Sequence, residues 1–284
     1  MTTIEPPPAE QIKKDIAQIQ QWLTATPHLP SVEDEDWLET IHRNCKFRLE
    51  KTKSKLDAYF SLKGKHPAIL RDRDPLAPAL VTARSAVTLA VAEHLTTDGS
   101  LLVYHIHQPD HSLLNAADYY KRIVMLHDVI LLERLAPNGV LFIVDFTHFR
   151  YQHFLKIMMH VRALVEILVS CYAEKIKAAY LITESEMVVQ MIKLITKLSP
   201  QKMRERVKLH GTSMSKMPRE VDEEVLSNDL GGKGPSLAHS EGRVYQWLHL
   251  ESTYNYSQIT NIPRILKRFL MCVHLEKKNQ RFRT

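Results

Sequence analysis

Apolar positions follow two different periods along this chain. Ile12, Ile16, Ile19 and Leu23 recur at i, i+4, i+7 and i+11, the stripe of an amphipathic helix that ends before Pro27. Asp34 opens a second helix with Trp37, Leu38 and Ile41 inward, and Leu49, Leu56, Tyr59 and Phe60 mark a third, broken at Lys63-Gly64-Lys65-His66-Pro67. An alanine-rich segment, Ala77 to His94, is expected to be helical as well. The period then changes. Leu101–Ile106 forms a strand, Asn115–Leu135 a long helix, and Val140–Val144 a β-branched run expected to be buried on both faces. Phe149–Tyr172 is helical, Ala178–Ile182 a strand, Glu184–Leu198 a helix, Gln201–Arg206 a short helix and Val207–Leu209 a brief strand. Helices alternating with buried strands predict an α/β layered sheet behind an all-helical first part. After Gly242 the pattern predicts irregular structure.

One predicted helix is apolar on more than one side. Met187, Met191, Leu194, Ile195 and Leu198 form a buried stripe, and Val189 and Ile192 widen it beyond what one face needs. Such a helix lies deep in a core or covers something apolar that comes and goes.

Charge changes this picture only at the end of the chain. The 284 residues carry a net charge of +6, and residues 241–284 hold eight Lys and Arg against three Glu, a net +5. The body is therefore nearly neutral, which argues against a nucleic-acid-binding face. Three widely spaced cysteines, Cys45, Cys171 and Cys272, suit a reducing compartment and lack metal-site spacing. The first residues, with Pro6-Pro7-Pro8, form neither a basic region nor an apolar core, so no signal peptide is expected. The greasiest stretch, Phe149–Tyr172, contains His153, Lys156, His160, Arg162 and Glu166, too many polar groups for a span of about 20 residues.

Candidate chemistry is sparse. His105 and His107 share a strand face with His111 close by, but no third ligand has a fixed spacing, and the surface reading outweighs a metal site. Gly231-Gly232-Lys233-Gly234-Pro235-Ser236 superficially resembles a phosphate loop, yet it lacks the Gly-Lys-[Ser/Thr] order. Asp145 and His148 follow a strand without a nucleophile, so Asp145 reads as a turn or helix cap. Lys175 and Lys177, Lys202 and Arg206, and Arg43 beside Lys46 are individually solvated charges that form an anion site only if the fold gathers them. Six methionines between Met125 and Met203 fit adaptable apolar packing as well as an ordinary core.

Three collinear stretches carry a resemblance. They are Arg43-Asn44-Cys45-Lys46-Phe47 running on through Glu50-Lys51-Thr52-Lys53, Asn138-Gly139 through Asp145, and Lys175-Ile176-Lys177 through Gln201–Val207, His210-Gly211 and Leu230-Gly231-Gly232. Together they resemble the CRAL-TRIO lipid-binding family over about residues 10–240, in particular its insect members of the alpha-tocopherol transfer protein-like and cellular retinaldehyde-binding protein-like kinds. Departures include His148 for a Gly, Asn44 for a Gly (expected to keep left-handed geometry), and Glu39 and Thr40 for Leu and Arg.

The resemblance implies a leader at 1–9, an N-terminal helical subdomain at 10–75, an αβα lipid-binding domain with a mixed sheet, apolar cavity and helical gate at 76–240, and a basic tail at 241–284. It implies a cavity lined by Val103, His127, Leu141, Ile143, Phe154, Ile157, Met158, Leu164, Leu168, Ile182, Met187, Met191 and Leu194. The gate would use Val188, Val189, Ile192, Ile195 and Leu198, and phosphoinositide phosphates would meet Arg43, Lys175, Lys177, Lys202 and Arg206. The expected protein is a cytoplasmic, monomeric, non-enzymatic carrier without metal or cofactor. It would exchange a small hydrophobic lipid (a retinoid, tocopherol, carotenoid or other isoprenoid) at phosphoinositide-containing membranes, associating with them transiently. The alternative is a phosphoinositide-responsive adaptor with little or no cargo.

Overall fold

The computed structural model describes residues 6–172, 174–211 and 221–249. Helix α1 spans Ala9–Ala25 and buries Ile16, Ile19 and Leu23. Asp34 caps α2 (Glu35–Asn44) by accepting from Trp37 N, as an acidic N-cap does. Helix α3 runs Leu49–Lys65, followed by a single turn, α4 (Pro67–Leu70). The Arg43–Phe47 motif is the reversal between α2 and α3. Its left-handed residues are Lys46 and Phe47 (φ 61° and 55°), not Asn44, which completes α2. Cys45 is fully buried beneath the turn, and Phe47 packs edge-on against His42.

The segment Ala77–His94 divides where a single helix was expected. Helix α5 (Pro78–Ala86) gives way to strand β1 (Val87–Val91). Val87, Thr88 and Val91 are β-branched, and antiparallel pairing with β2 (Leu101–His107) outweighs the helical alanines around them. Helix α6 (Ala116–Leu132) is capped by Asn115, whose side chain accepts from Ala117 and Asp118 N. Strand β3 (Val140–Asp145) follows, then α7 (Tyr151–Met158) and α8 (Val161–Ser170), separated at Met159-His160 where one helix was predicted. Strand β4 (Ile176–Ile182), helix α9 (Glu186–Thr196), the single turn α10 (Gln201–Arg204) and β5 (Val207–His210) complete the sheet.

Strand order is β1-β2-β3-β4-β5, with β1 antiparallel and the other pairings parallel. The crossovers advance in one direction, so right-handed connections stack α6 to α9 on one face. The core confirms this division. Val103, Phe142 and Leu181 share one apolar cluster with α6, α7, α8 and α9. Leu102, Tyr104, Leu141, Ile143, Tyr180 and Ile182 belong to a second cluster, closed by Val221, Val225, Leu226 and Leu230.

The first cluster is continuous with the N-terminal helices, including Ile19, Leu38 and Leu56. Polar ties reinforce that seam. Asp128 on α6 pairs with Arg73 at 2.6 Å and accepts from the hydroxyls of Tyr172 (2.6 Å) and Tyr59 (3.2 Å). Lys55 donates to the carbonyls of Val169 and Tyr172.

A correction concerns the end of the described chain. Helix α11 runs Leu237–His249, straight through Gly242, where irregular structure was expected. Gly242 faces open space, so its helix cost of about 1 kcal/mol is outweighed by neighbours on the packed side. Val244 is buried, Glu241 pairs with Arg84 (3.1 Å) and Arg122 (3.5 Å), and the Arg84 guanidinium lies over Tyr245. The rest of the basic tail lies outside the described residues.

Candidate functional site

The helix-facing side of the sheet is the face on which a ligand interior would be built. Parallel pairing puts Val103 beside Phe142, and His105 beside Val144, on that face. Above them α6 contributes Tyr119 and His127, α7 Ile157, α8 Leu164, and α9 Val188, Met191 and Ile192. Phe154, Met158 and Leu168 are half-buried members of the same cluster.

Leu141, Ile143 and Ile182, expected to line a cavity, lie on the opposite face against the C-terminal segment. The reason is parity. In a strand buried on both sides every position is apolar, and nothing in the sequence distinguishes odd from even residues. Phe142 and Val144 take the helix-facing positions of β3 instead.

Helix α9 shows the same exchange of faces. Val188, Met191 and Ile192 are buried, while Val189 and Ile195 are half-buried. Met187 (42%), Leu194 (48%) and Leu198 (38%) are exposed, so they line no interior in this conformation. The helix is thus apolar inside and out. Ser185 caps it by accepting from Val188 N.

Histidines give this interior its polar groups. His105 and His107 were read as surface residues, yet both are buried. His105 hydrogen-bonds Tyr119 through Nδ1 at 3.0 Å, and His107 stacks on Phe146 with centroids 5.0 Å apart. Burial, assisted by His127 and Arg122 for His105 and by His105 and His153 for His107, pushes each down to about 3. His127 behaves oppositely. Burial opposes its charge, but the Glu174 carboxylate, 2.6 Å from Nδ1, raises it above the ordinary histidine value. No three His, Cys, Asp or Glu among the described residues are arranged to hold a metal ion. Asp145 accepts from Thr147 N at 2.7 Å in a turn between β3 and α7 rather than as a helix cap, and His148 is exposed.

Glu174 and Tyr119 were missed by sequence reasoning. Glu174 precedes a strand as an ordinary surface acid would, and its burial depends on how α6 crosses the sheet.

Four of the five basic residues lie on neighbouring segments. Lys175 and Lys177 stand at the start of β4, and Lys202 and Arg206 on α10 and the turn into β5, where the Arg206 carbonyl accepts from Ala179 N. Arg43 belongs to α2. Lys177 pairs with Asp98 at 2.5 Å and Arg43 with Glu39 at 2.6 Å. An exposed pair such as Arg43–Glu39 is worth about 0–1 kcal/mol, whereas the Lys177 side chain is only 21% exposed. A cleft of about 20 Å³, lined by Leu80, Arg122, Met125 and Tyr245 among others, includes none of the expected lining residues.

Residues 97–232 match the family model described as CRAL/TRIO domain, and residues 8–80 match that described as Pinta-like, UBA domain. The crystal structure of Sfh5 superposes on 96% of this chain and 99% of its own, with a TM-score of 0.57 and 11% sequence identity. At that identity the likeness shows the fold alone. None of the curated proteins searched matches the chain.

Proposed function

We propose that this chain, which carries a CRAL/TRIO domain, is a non-enzymatic carrier that holds a small hydrophobic lipid between the sheet and helices α6 to α9, with α9 as its gate. Members of this family are generally lipid-binding carriers rather than enzymes. The observation that carries the reading is the two-sided apolar surface of α9, with Val188, Met191 and Ile192 inward and Met187 and Leu194 outward, continued by exposed Leu198 just past its end. Swinging α9 away in water exposes the three inward residues at about 1.5–3 kcal/mol each, roughly 5–9 kcal/mol together. That population is negligible on its own. A bilayer removes the cost, because both apolar faces then meet hydrocarbon. Lys175, Lys177, Lys202 and Arg206, with Arg43, supply docking to anionic headgroups at about 1 kcal/mol per residue near the surface. The cargo class is a retinoid, tocopherol, carotenoid or other isoprenoid, and exchange takes place at phosphoinositide-containing membranes from a cytoplasmic pool.

The test is lipid transfer from loaded protein to vesicles containing 5 mol% phosphatidylinositol 4,5-bisphosphate. Leu194→Glu with Leu198→Glu alters only exposed positions, so stability should stay within about 0.5 kcal/mol. Transfer should slow at least tenfold. Unchanged transfer would remove α9 as the gate. Vesicle binding with no lipid exchange would instead favour the membrane adaptor with little or no cargo.

A further inference from the structure

Helix α7 is fastened at its first turn by a side chain that serves in one protonation state only. His153 is 1% exposed, and both of its ring nitrogens meet backbone groups. Nδ1 lies 3.0 Å from Arg150 N, and Nε2 lies 3.1 Å from the Gln108 carbonyl oxygen. A backbone N–H only donates and a carbonyl only accepts, so these partners fix the tautomer. Nδ1 holds its lone pair and accepts from Arg150, while Nε2–H donates to Gln108. The first bond caps α7 at its N3 position, where Glu or Gln commonly reaches back to the N-cap amide. The second ties the helix to the segment after β2. Lys156 ties it again by donating to the carbonyls of His111 (2.6 Å) and Ser112 (3.1 Å).

A proton on Nδ1 would set N–H against N–H and break the cap. Burial opposes that proton first, and His111, Arg150 and Lys156 oppose it by their charge, so His153 is held below the ordinary histidine value although the Gln108 carbonyl pulls the other way. His111 belongs to the short turn His111–Leu113 and stands 5.7 Å away, ring to ring. Asp110, just before that turn, is exposed, accepts from Ser112 N and faces His111 and Lys156. On the other side Phe149 stacks on His153 at 5.2 Å and meets His107 of β2 edge-on at 5.0 Å, with Tyr119 of α6 beyond.

We propose that His153 is a proton-operated clamp on α7, which fastens the first turn to the end of β2 when neutral and releases it when protonated. Helix α7 supplies Ile157 and half-buried Phe154 to the apolar cluster over the sheet, and Phe149 just before it covers His107. Release of the turn therefore loosens that corner of the helix-facing interior, on a helix other than α9. The clamp does not depend on what the interior holds. The neutral ring is the fastened form, so the clamp is complete above about pH 6.5, the ordinary histidine value, and weakens as pH falls below it.

The experiment is amide hydrogen exchange of the full-length chain, followed by mass spectrometry over residues 149–159 at pH 7.0 and 5.5, with rates corrected for the intrinsic effect of pH. A histidine that titrates near 6.5 once freed favours the open turn by up to about eightfold more at the lower pH. Protection across α7 should fall by that factor through His153. His153→Gln keeps an acceptor at N3 and takes up no proton, so its fall should be smaller than the wild-type fall by the same factor. His153→Phe keeps the stack on Phe149 and makes neither bond, so α7 should be weakly protected at both pH values. An equal fall in wild type and His153→Gln overturns the proposal, and so does full protection of α7 in His153→Phe at pH 7.0. Where a variant fails to fold, nitrogen NMR of the wild-type ring decides. It should show a protonated Nε2 and a bare Nδ1 at pH 7.0, with the Arg150 amide losing protection in step with protonation of Nδ1. A protonated Nδ1 at pH 7.0, or an Arg150 amide indifferent to the titration, overturns the clamp.

Discussion

Acid should unfold this protein through two histidines, and the effect can be worked from their surroundings. His105 and His107 are buried beneath α6 and held near 3, whereas in the unfolded chain each titrates near 6.5. Between those values the unfolded chain binds more protons than the folded one, so stability falls as pH drops through the window. From pH 6 to pH 5 the loss is about 1.2 kcal/mol per histidine, about 2.4 kcal/mol for the pair. His153, lowered by burial despite its bond to the Gln108 carbonyl, adds a smaller loss of the same sign. His127 has the opposite sign, because its folded value is raised. Its contribution is fully present below about 6.5 and is lost as pH rises through the folded value, so it is flat between pH 6 and 5. Asp98, held down mainly by its hydrogen bond to Lys177, loses its contribution only at lower pH, near and below the ordinary carboxylate range. The assay is urea unfolding followed by far-UV circular dichroism at pH 6.0, 5.5 and 5.0. His105→Phe should remove about half the loss, and His105→Phe with His107→Phe most of it. A wild-type change under about 0.5 kcal/mol, or a double variant that keeps the full loss, would refute the reasoning.

Two further perturbations test the scaffold by equilibrium unfolding. Asp128→Asn removes the charge paired with buried Arg73 and should destabilise by about 3–5 kcal/mol, far more than loss of an exposed pair such as Lys233–Glu224. An effect under about 1 kcal/mol would mean that water reaches Arg73. Gly139 has φ 113°, and a Cβ there would strike the Lys175 carbonyl, so Gly139→Ala should cost about 2 kcal/mol or more. Gly242→Ala is the control of opposite sign. It sits within α11 against open space and should stabilise by about 0.5–1 kcal/mol.

The parts of the fold legible in the sequence are those where local chemistry decides. Asp34, Asn115 and Ser185 announce their helices because the cap is made within three residues. Asn138-Gly139 announces the entry to β3 because only Gly adopts that backbone angle beside Lys175. Strand β1 was hidden in an alanine-rich run, since its partner strand, not its own propensity, makes it a strand. Helix α11 was hidden by Gly242, whose cost is met by long-range contacts to Arg84 and Arg122.

The site follows the same rule. The apolar excess of α9 was visible because it is periodic. Which side faces inward was not, because Val188, Met191 and Ile192 are no more apolar than Met187, Leu194 and Leu198. Leu141 and Ile143 were misplaced because a doubly buried strand carries no polar alternation. His105, His107 and Glu174 needed the fold, since burial of a polar residue is decided by elements far away in sequence.

The most direct measurement on the central claim is the small-molecule content of the full-length chain purified without detergent. Organic extraction and mass spectrometry should return one hydrophobic lipid class in about equimolar amount to protein. It should disappear when the protein is incubated with excess phosphoinositide-containing vesicles. Protein that yields no lipid, and takes none up from vesicles carrying retinol, tocopherol or a carotenoid, would contradict the carrier account.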